Sequence, residues 1–219
     1  HTMVMFTSDN GPSPGNGKRL ESDGVARYMG GSSGPLRGRK GQTWEGGMRV
    51  PMIARWPGRI PDGVTVDAPA SINDILPTIA SFAGVPAPDD RVLDGVSLQK
   101  LLTEGADSSM EDRFFCYWFG IQLQAVKKGK WKLILPLTEL PEERPVSLWF
   151  EAMPHLFERQ HRLYPDPSLF DLNADISESN DLASAHPEVL DQLLREAESV
   201  QTEVLQNRQA PVWLEAPVI

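Results

Sequence analysis

The chain has 219 residues, 40% apolar and 23% charged, with a formal net charge of −9 and a single cysteine. That length suits one large domain, or a medium and a small one, with ample material for a packed core. An ordinary apolar content sets aside a disordered chain, acidity without a basic stripe argues against a nucleic-acid partner, and no run approaches the roughly 18–20 apolar residues of a membrane span. Before residue 109 there are 11 basic and 12 acidic residues, and after it 10 and 18, so the acidity sits in the second half. The basic cluster Arg37-Gly38-Arg39-Lys40 stands out against that background. The lone Cys116, among aromatics in FFCYWF, allows no internal disulfide and is expected as a small core residue.

In chain order, residues 2–7 (TMVMFT) predict a buried strand, ending in the turn-forming Ser8-Asp9-Asn10-Gly11-Pro12. The chain starts directly in this strand, which suggests a fragment or a chain whose front has been removed. Residues 11–47 hold eleven glycines and no periodic apolar face, so they are expected to form one long loop, a kind that in compact domains tends to be functional or disordered. RVPMIARW (49–56) reads as a second strand, and WPGRIPDG turns the chain. SINDILPTIASFAGV (71–85) predicts a helix, with Ser71 or Asn73 as cap, Gly84 as stop, and Ile72, Leu76, Ile79 and Phe82 on one apolar face. A short helical turn follows at 97–102, and the polar TEGADSSMED suggests a domain boundary, giving domains of 1–108 and 109–219.

The second half predicts strands at 114–119, 123–127 and 131–135, with KKGK as the hairpin turn, and a further strand at 169–172. Residues 136–168 are irregular and carry Trp149, His155, Arg159, His161 and Arg162, a set suited to recognising a sugar or aryl group. Pro187–Gln206 is the clearest helix: Val189, Leu190, Leu193, Leu194, Ala197, Val200 and Val204 form a stripe expected to lie on the small sheet. Pro187 suits its first turn and Glu188 its dipole.

The chemistry-bearing residues are few. Asp9 and Asn10 offer hard oxygen donors at a strand end, suited to Ca²⁺ or Mg²⁺, although the same pattern is an ordinary turn. Lys40, flanked by glycines in RGRKGQTWEGG, can act as a point charge for an oxyanion, or can be a solvated loop cation. The four histidines show no metal-ligand spacing, and the serine-hydrolase elbow, Walker loop and H-E-x-x-H signatures are absent.

Taken together and in order, TMVMFTSDNGP, GPLRGRKGQTWEGGMRVPMIARWPGRIP, INDILPTIASFAGV, AVKKGKWKLIL and LFDLNADISESNDLA resemble the sulfatases of the arylsulfatase type. The resemblance runs from residue 2 to about 205 and corresponds to the C-terminal part of such an enzyme; its first two blocks are specific, the tail looser. It implies an α/β fold, part of an alkaline-phosphatase-like sheet domain followed by a small C-terminal antiparallel sheet packed by a helix. It further implies that Asp9 and Asn10 bind a divalent metal, calcium, and that Lys40 binds the sulfate group as the catalytic residue present here. Arg37 and Arg39 are expected to fix the loop or rim the substrate, and Glu45 to pair with Arg49. The family's formylglycine arises from C-x-P-x-R or S-x-P-x-R, which this sequence lacks, so the nucleophile and remaining ligands are expected outside this chain, in the N-terminal portion of the same enzyme. The implied substrate is a sulfated small molecule or carbohydrate, and the family habit is export to the periplasm or outside. Other readings are a phosphatase or phosphonate monoester hydrolase of the same superfamily, and a non-catalytic fragment.

Overall fold

The computed structural model describes residues 2–12, 31–90, 92–119, 122–138 and 165–207, with the backbone of 19–20 and 26–27. Trp149, His155, Arg159, His161 and Arg162 therefore lie outside the described residues. The chain divides into two compact units, His1–Phe114 and Phe115–Ile219.

In the first unit, β1 (Val4–Thr7) pairs antiparallel with β4 (Met52–Arg55), Phe6 opposite Ile53 and Thr7 opposite Met52. These are the two strands expected on either side of the glycine-rich segment. That segment is not wholly irregular: it holds the short antiparallel pair β2 (Arg19–Leu20) and β3 (Ala26–Arg27), and closes in a single helical turn, α1 (Glu45–Met48). Phe6 and Ile53 face each other across the ladder and both remain more than 60% exposed, so this face of the sheet is uncovered among the described residues.

The helix expected at 71–85 begins as a 3-10 turn (Ile72–Asp74) and continues as α2 (Ile75–Ala83). Ser71 is the cap: its side chain accepts from the Asn73 N–H while the Asp74 carboxylate accepts from the Ser71 N–H, which closes a capping box. Gly84 ends the helix. Among the described residues it is not the apolar face that packs. Ile72, Leu76 and Ile79 are about half exposed, and the buried residues are Asp74, Pro77, Thr78 and Ala80.

The reason is a polar hub that hydrophobic periodicity does not register. Asp74, fully buried, accepts both guanidinium nitrogens of Arg113 at 2.7 and 2.8 Å and the Val96 N–H at 2.9 Å. Thr78 Oγ1 donates to the Asp74 carbonyl and accepts from the Leu98 N–H. Those bonds draw the 95–104 segment, including α3 (Gln99–Glu104), onto the polar side of α2, where Leu98, Leu101 and Met110 form a small core with Ala68 and Leu102. Phe82 meets the Trp56 ring edge-on at 5.1 Å.

The second unit is a four-stranded sheet in the order β5 (Phe114–Phe119), β6 (Gln122–Lys128), β7 (Trp131–Ile134), β8 (Ser168–Asp171). The β6–β7 and β7–β8 ladders are antiparallel, with Lys128 opposite Trp131 across the two-residue turn Gly129–Lys130. α4 (Pro187–Gln206) spans the expected residues and packs against β6 and β7, burying Leu193 and Ala197, with Glu196 bonded to Lys128 at 2.8 Å. The stripe is buried only in its middle, and Val204 is exposed. Cys116 is half-buried rather than a full core residue. The interior also holds a buried ion pair, Lys132 to Glu178 at 2.8 Å, with the ammonium 4.5 Å from the centre of the Tyr117 ring.

Candidate active site

The end of β1 and the glycine-rich segment meet in one place. Ser8 donates to the Asn10 carbonyl at 2.9 Å and the Asn10 side-chain nitrogen donates to Asp9 Oδ1 at 2.6 Å, so the two side chains share one compact turn. With its nitrogen engaged, the Asn10 amide keeps its oxygen for another partner. The turn is then tied down by backbone: the Gly11 N–H donates to the Gly47 carbonyl and the Lys40 N–H to the Pro12 carbonyl, both at 2.9 Å. The structure thus brings the Asp9–Asn10 turn and the Lys40 segment together, although they are thirty residues apart in sequence.

Glycine is obligatory at this crossing. A Cβ on Gly11 would stand 1.9 Å from the Gly46 carbonyl oxygen, and one on Gly47 would stand 2.1 Å from the Gln42 carbonyl oxygen. The W-E-G-G run is therefore the seat on which both arms rest. Glu45, 2% exposed in the same turn of α1, is held by Arg49 through two nitrogens at 3.0 and 3.1 Å, the internal pairing expected for these two. Arg37 lies 3.6 Å over the centre of the buried Trp44 ring, and its carbonyl accepts the Gly46 N–H, so it fixes the loop. Arg39 and Lys40 project into solvent.

Lys40 occupies a β-turn from Arg39 to Gln42, closed by the Gln42 N–H bonding to the Arg39 carbonyl at 3.0 Å. Gly41 follows with φ of 85°, the left-handed value that the third position of a type II turn requires. Sequence reasoning passed over Gln42. Its signal was there: in R-K-G-Q the glycine marks a turn, and the residue closing that turn bears on the lysine inside it.

For a divalent cation the donors fit in kind but not in number. Asp9 and Asn10 supply two side-chain oxygens, against the roughly six to eight that calcium takes. Among the described residues no group of three or more His, Cys, Asp and Glu clusters to complete such a site. No helix among them is long and apolar enough to cross a membrane.

The fold is that of part of an alkaline-phosphatase-like α/β sheet domain followed by a small antiparallel sheet with its helix. It matches a structure from work on metabolism of multiple glycosaminoglycans by Bacteroides thetaiotaomicron, with a TM-score of 0.64 and 28% identity over 92% of this chain and 39% of that one. The chain belongs to the sulfatase family, arylsulfatase type: the sulfatase model matches residues 1–85, and the model for the C-terminal region of aryl-sulfatase matches residues 110–214. Among its relatives, mouse steryl-sulfatase (Mus musculus) is 43% identical over 58% of this chain, and human steryl-sulfatase (Homo sapiens) 35% identical over 84%. The matches span 19% and 32% of those two proteins, so this chain corresponds to about a third of their length or less.

Proposed function

We propose that this chain is the C-terminal portion of an enzyme that hydrolyses sulfate monoesters, and that Asp9, Asn10 and Lys40 are its contribution to the active site. The observation that carries the reading is the backbone crossing at Gly11–Gly47 and Pro12–Lys40, which joins a pair of hard oxygen donors to a solvent-facing cation. In this reading residues 1–108 are the end of the catalytic α/β domain, and 109–219 a small subdomain built on the second sheet.

Asp9 and Asn10 would hold calcium together with ligands from the N-terminal portion. When bound, the ion supplies positive charge that stabilises the sulfuryl oxygens as charge builds on them. Lys40 does the same with an ammonium that faces solvent and can approach a sulfate oxygen. The turn orients that ammonium, and its anchor on Pro12 fixes its separation from the metal side. The formylglycine nucleophile belongs to the N-terminal portion.

The uncovered apolar surface supports that partner. Phe6 and Ile53 on the β1–β4 sheet, and Ile72, Leu76 and Ile79 on α2, are exposed apolar side chains that a covering partner would bury. The substrate in this reading is a sulfated small molecule or carbohydrate. The test is sulfate release from p-nitrophenyl sulfate. The full-length enzyme is expected to turn it over and this chain alone is not; turnover by the chain alone, or a full-length enzyme that cleaves only the phosphate ester, would overturn the reading.

A further inference from the structure

Gln42 joins the Lys40 turn to the Gly47 seat on which the other arm rests. Its side-chain oxygen accepts the Arg39 N–H at 3.1 Å while its own N–H donates to the Arg39 carbonyl at 3.0 Å, a reciprocal pair of bonds that brackets Lys40 and Gly41. The same oxygen lies 2.9 Å from where a Cβ on Gly38 would stand, so the preceding residue has been cut back to hydrogen beside it. The Gln42 carbonyl in turn lies over Gly47, whose own carbonyl holds the Gly11 N–H beside Asn10. The side chain itself is half-buried between Lys40 and Trp44 in sequence, and carries no charge to offer a substrate.

We infer that Gln42 is a positioning residue: its side-chain carbonyl fixes the Lys40 turn, and so sets where the ammonium stands relative to the Asp9–Asn10 end of β1. A β-turn closed only by its main-chain bond is free to open, and the second bond from the side chain removes that freedom, so the lysine is presented in one arrangement rather than several. Hydrogen-bonded amides of this sort act on orientation rather than on charge. Removing the acceptor therefore loosens Lys40 and leaves the metal side alone.

This rests on the reading of Lys40 as a sulfate ligand, and the experiment separates the two. In the full-length enzyme, Gln42→Met keeps length and bulk but removes the acceptor. kcat/KM on p-nitrophenyl sulfate, the inhibition constant of inorganic sulfate, calcium half-saturation and the melting temperature are measured for wild type, Q42M, Lys40→Ala and the double variant.

The expected result is a loss of about tenfold in kcat/KM for Q42M, in keeping with one lost hydrogen bond, with sulfate inhibition weakened by a similar factor. Calcium half-saturation and melting temperature stay as in wild type, and in the K40A background Q42M costs less than about twofold, because its effect passes through Lys40. A Q42M effect undiminished in K40A, or one accompanied by a loss of calcium affinity or of melting temperature, overturns the inference. If K40A alone keeps wild-type activity and sulfate inhibition, the reading of Lys40 falls and takes the inference with it. Should Q42M fail to fold, Gln42→Asn, one methylene shorter, goes through the same cycle with the same expectations.

Discussion

Lys132 and Glu178 are both 0% exposed and 2.8 Å apart, so each neutralises a charge that has no access to water. Lys132→Met removes the ammonium, together with its contact on the Tyr117 ring, and keeps the aliphatic stem, so the buried Glu178 carboxylate loses the positive charge that faces it at 2.8 Å. Breaking a buried pair from one side costs about 3–5 kcal/mol, a large part of the roughly 5–15 kcal/mol that holds a domain folded. With a urea m-value of about 2 kcal/mol/M for a unit of this size, the midpoint should fall by about 2 M. The assay is urea unfolding of the chain followed by near-ultraviolet circular dichroism, which reads the aromatic packing around Tyr117. The double variant K132M with Glu178→Leu removes both charges together and should recover to within about 1–2 kcal/mol of wild type. A midpoint for K132M within about 0.3 M of wild type, or a double variant as unstable as K132M alone, would refute the reasoning.

Three further outcomes follow from the same structure. Gly11→Ala places a methyl 1.9 Å from the Gly46 carbonyl and should lower the thermal midpoint of the first unit by about 5 °C or more, while an unchanged midpoint means the crossing at Gly47 yields without cost. The Asp175 carboxyl is lowered to about 2 by the backbone N–H of Asn180, followed by the Ser177 hydroxyl and the Ser179 N–H and hydroxyl. Because the folded value lies below the ordinary value of 3.8, its contribution is present above that pH and fades as pH falls toward 2. Asp175→Asn should therefore cost about 1 kcal/mol at pH 6, reduced by solvent screening, and close to nothing at pH 2; a gap that does not shrink contradicts this. Leu76→Ser with Ile79→Ser should reduce dye binding by this chain without lowering its stability, yet cost the full-length enzyme about 2–4 kcal/mol, and equal behaviour in both would show that this face is not covered by the N-terminal portion.

The elements with a single strong period were legible from the sequence. Pro187–Gln206 and the strands at 114–119, 122–128 and 131–134 fall close to where the apolar stripe and the β-rich runs place them: the helix buries Leu193 and Ala197 against β6 and β7, and Leu123–Lys127 of β6 are buried throughout. At α2 periodicity marks an apolar face that the described residues leave open. Ile72, Leu76, Ile79 and Phe82 have the spacing of a core face, but within this chain the side that packs is set by Asp74 and Thr78, whose hydrogen bonds to Arg113, Val96 and Leu98 join positions 20 to 39 residues apart. No local pattern carries such a bond. At the site, Asp9, Asn10 and Lys40 are singled out by the motifs around them, since alone they read as a turn and a loop cation, whereas the seat at Gly46–Gly47 rests on backbone contacts that appear only once the chain has crossed itself.

The central claim, that the end of β1 and the Lys40 turn serve one metal-assisted sulfate site, is tested most directly by calcium titration of p-nitrophenyl sulfate turnover in the full-length enzyme carrying Asp9→Ala. Loss of a charged oxygen ligand should raise the calcium needed for half-maximal activity by about tenfold or more, with activity partly restored at high calcium. A half-saturation equal to that of wild type would contradict the claim, and would leave FTSDNGP as a turn and nothing more.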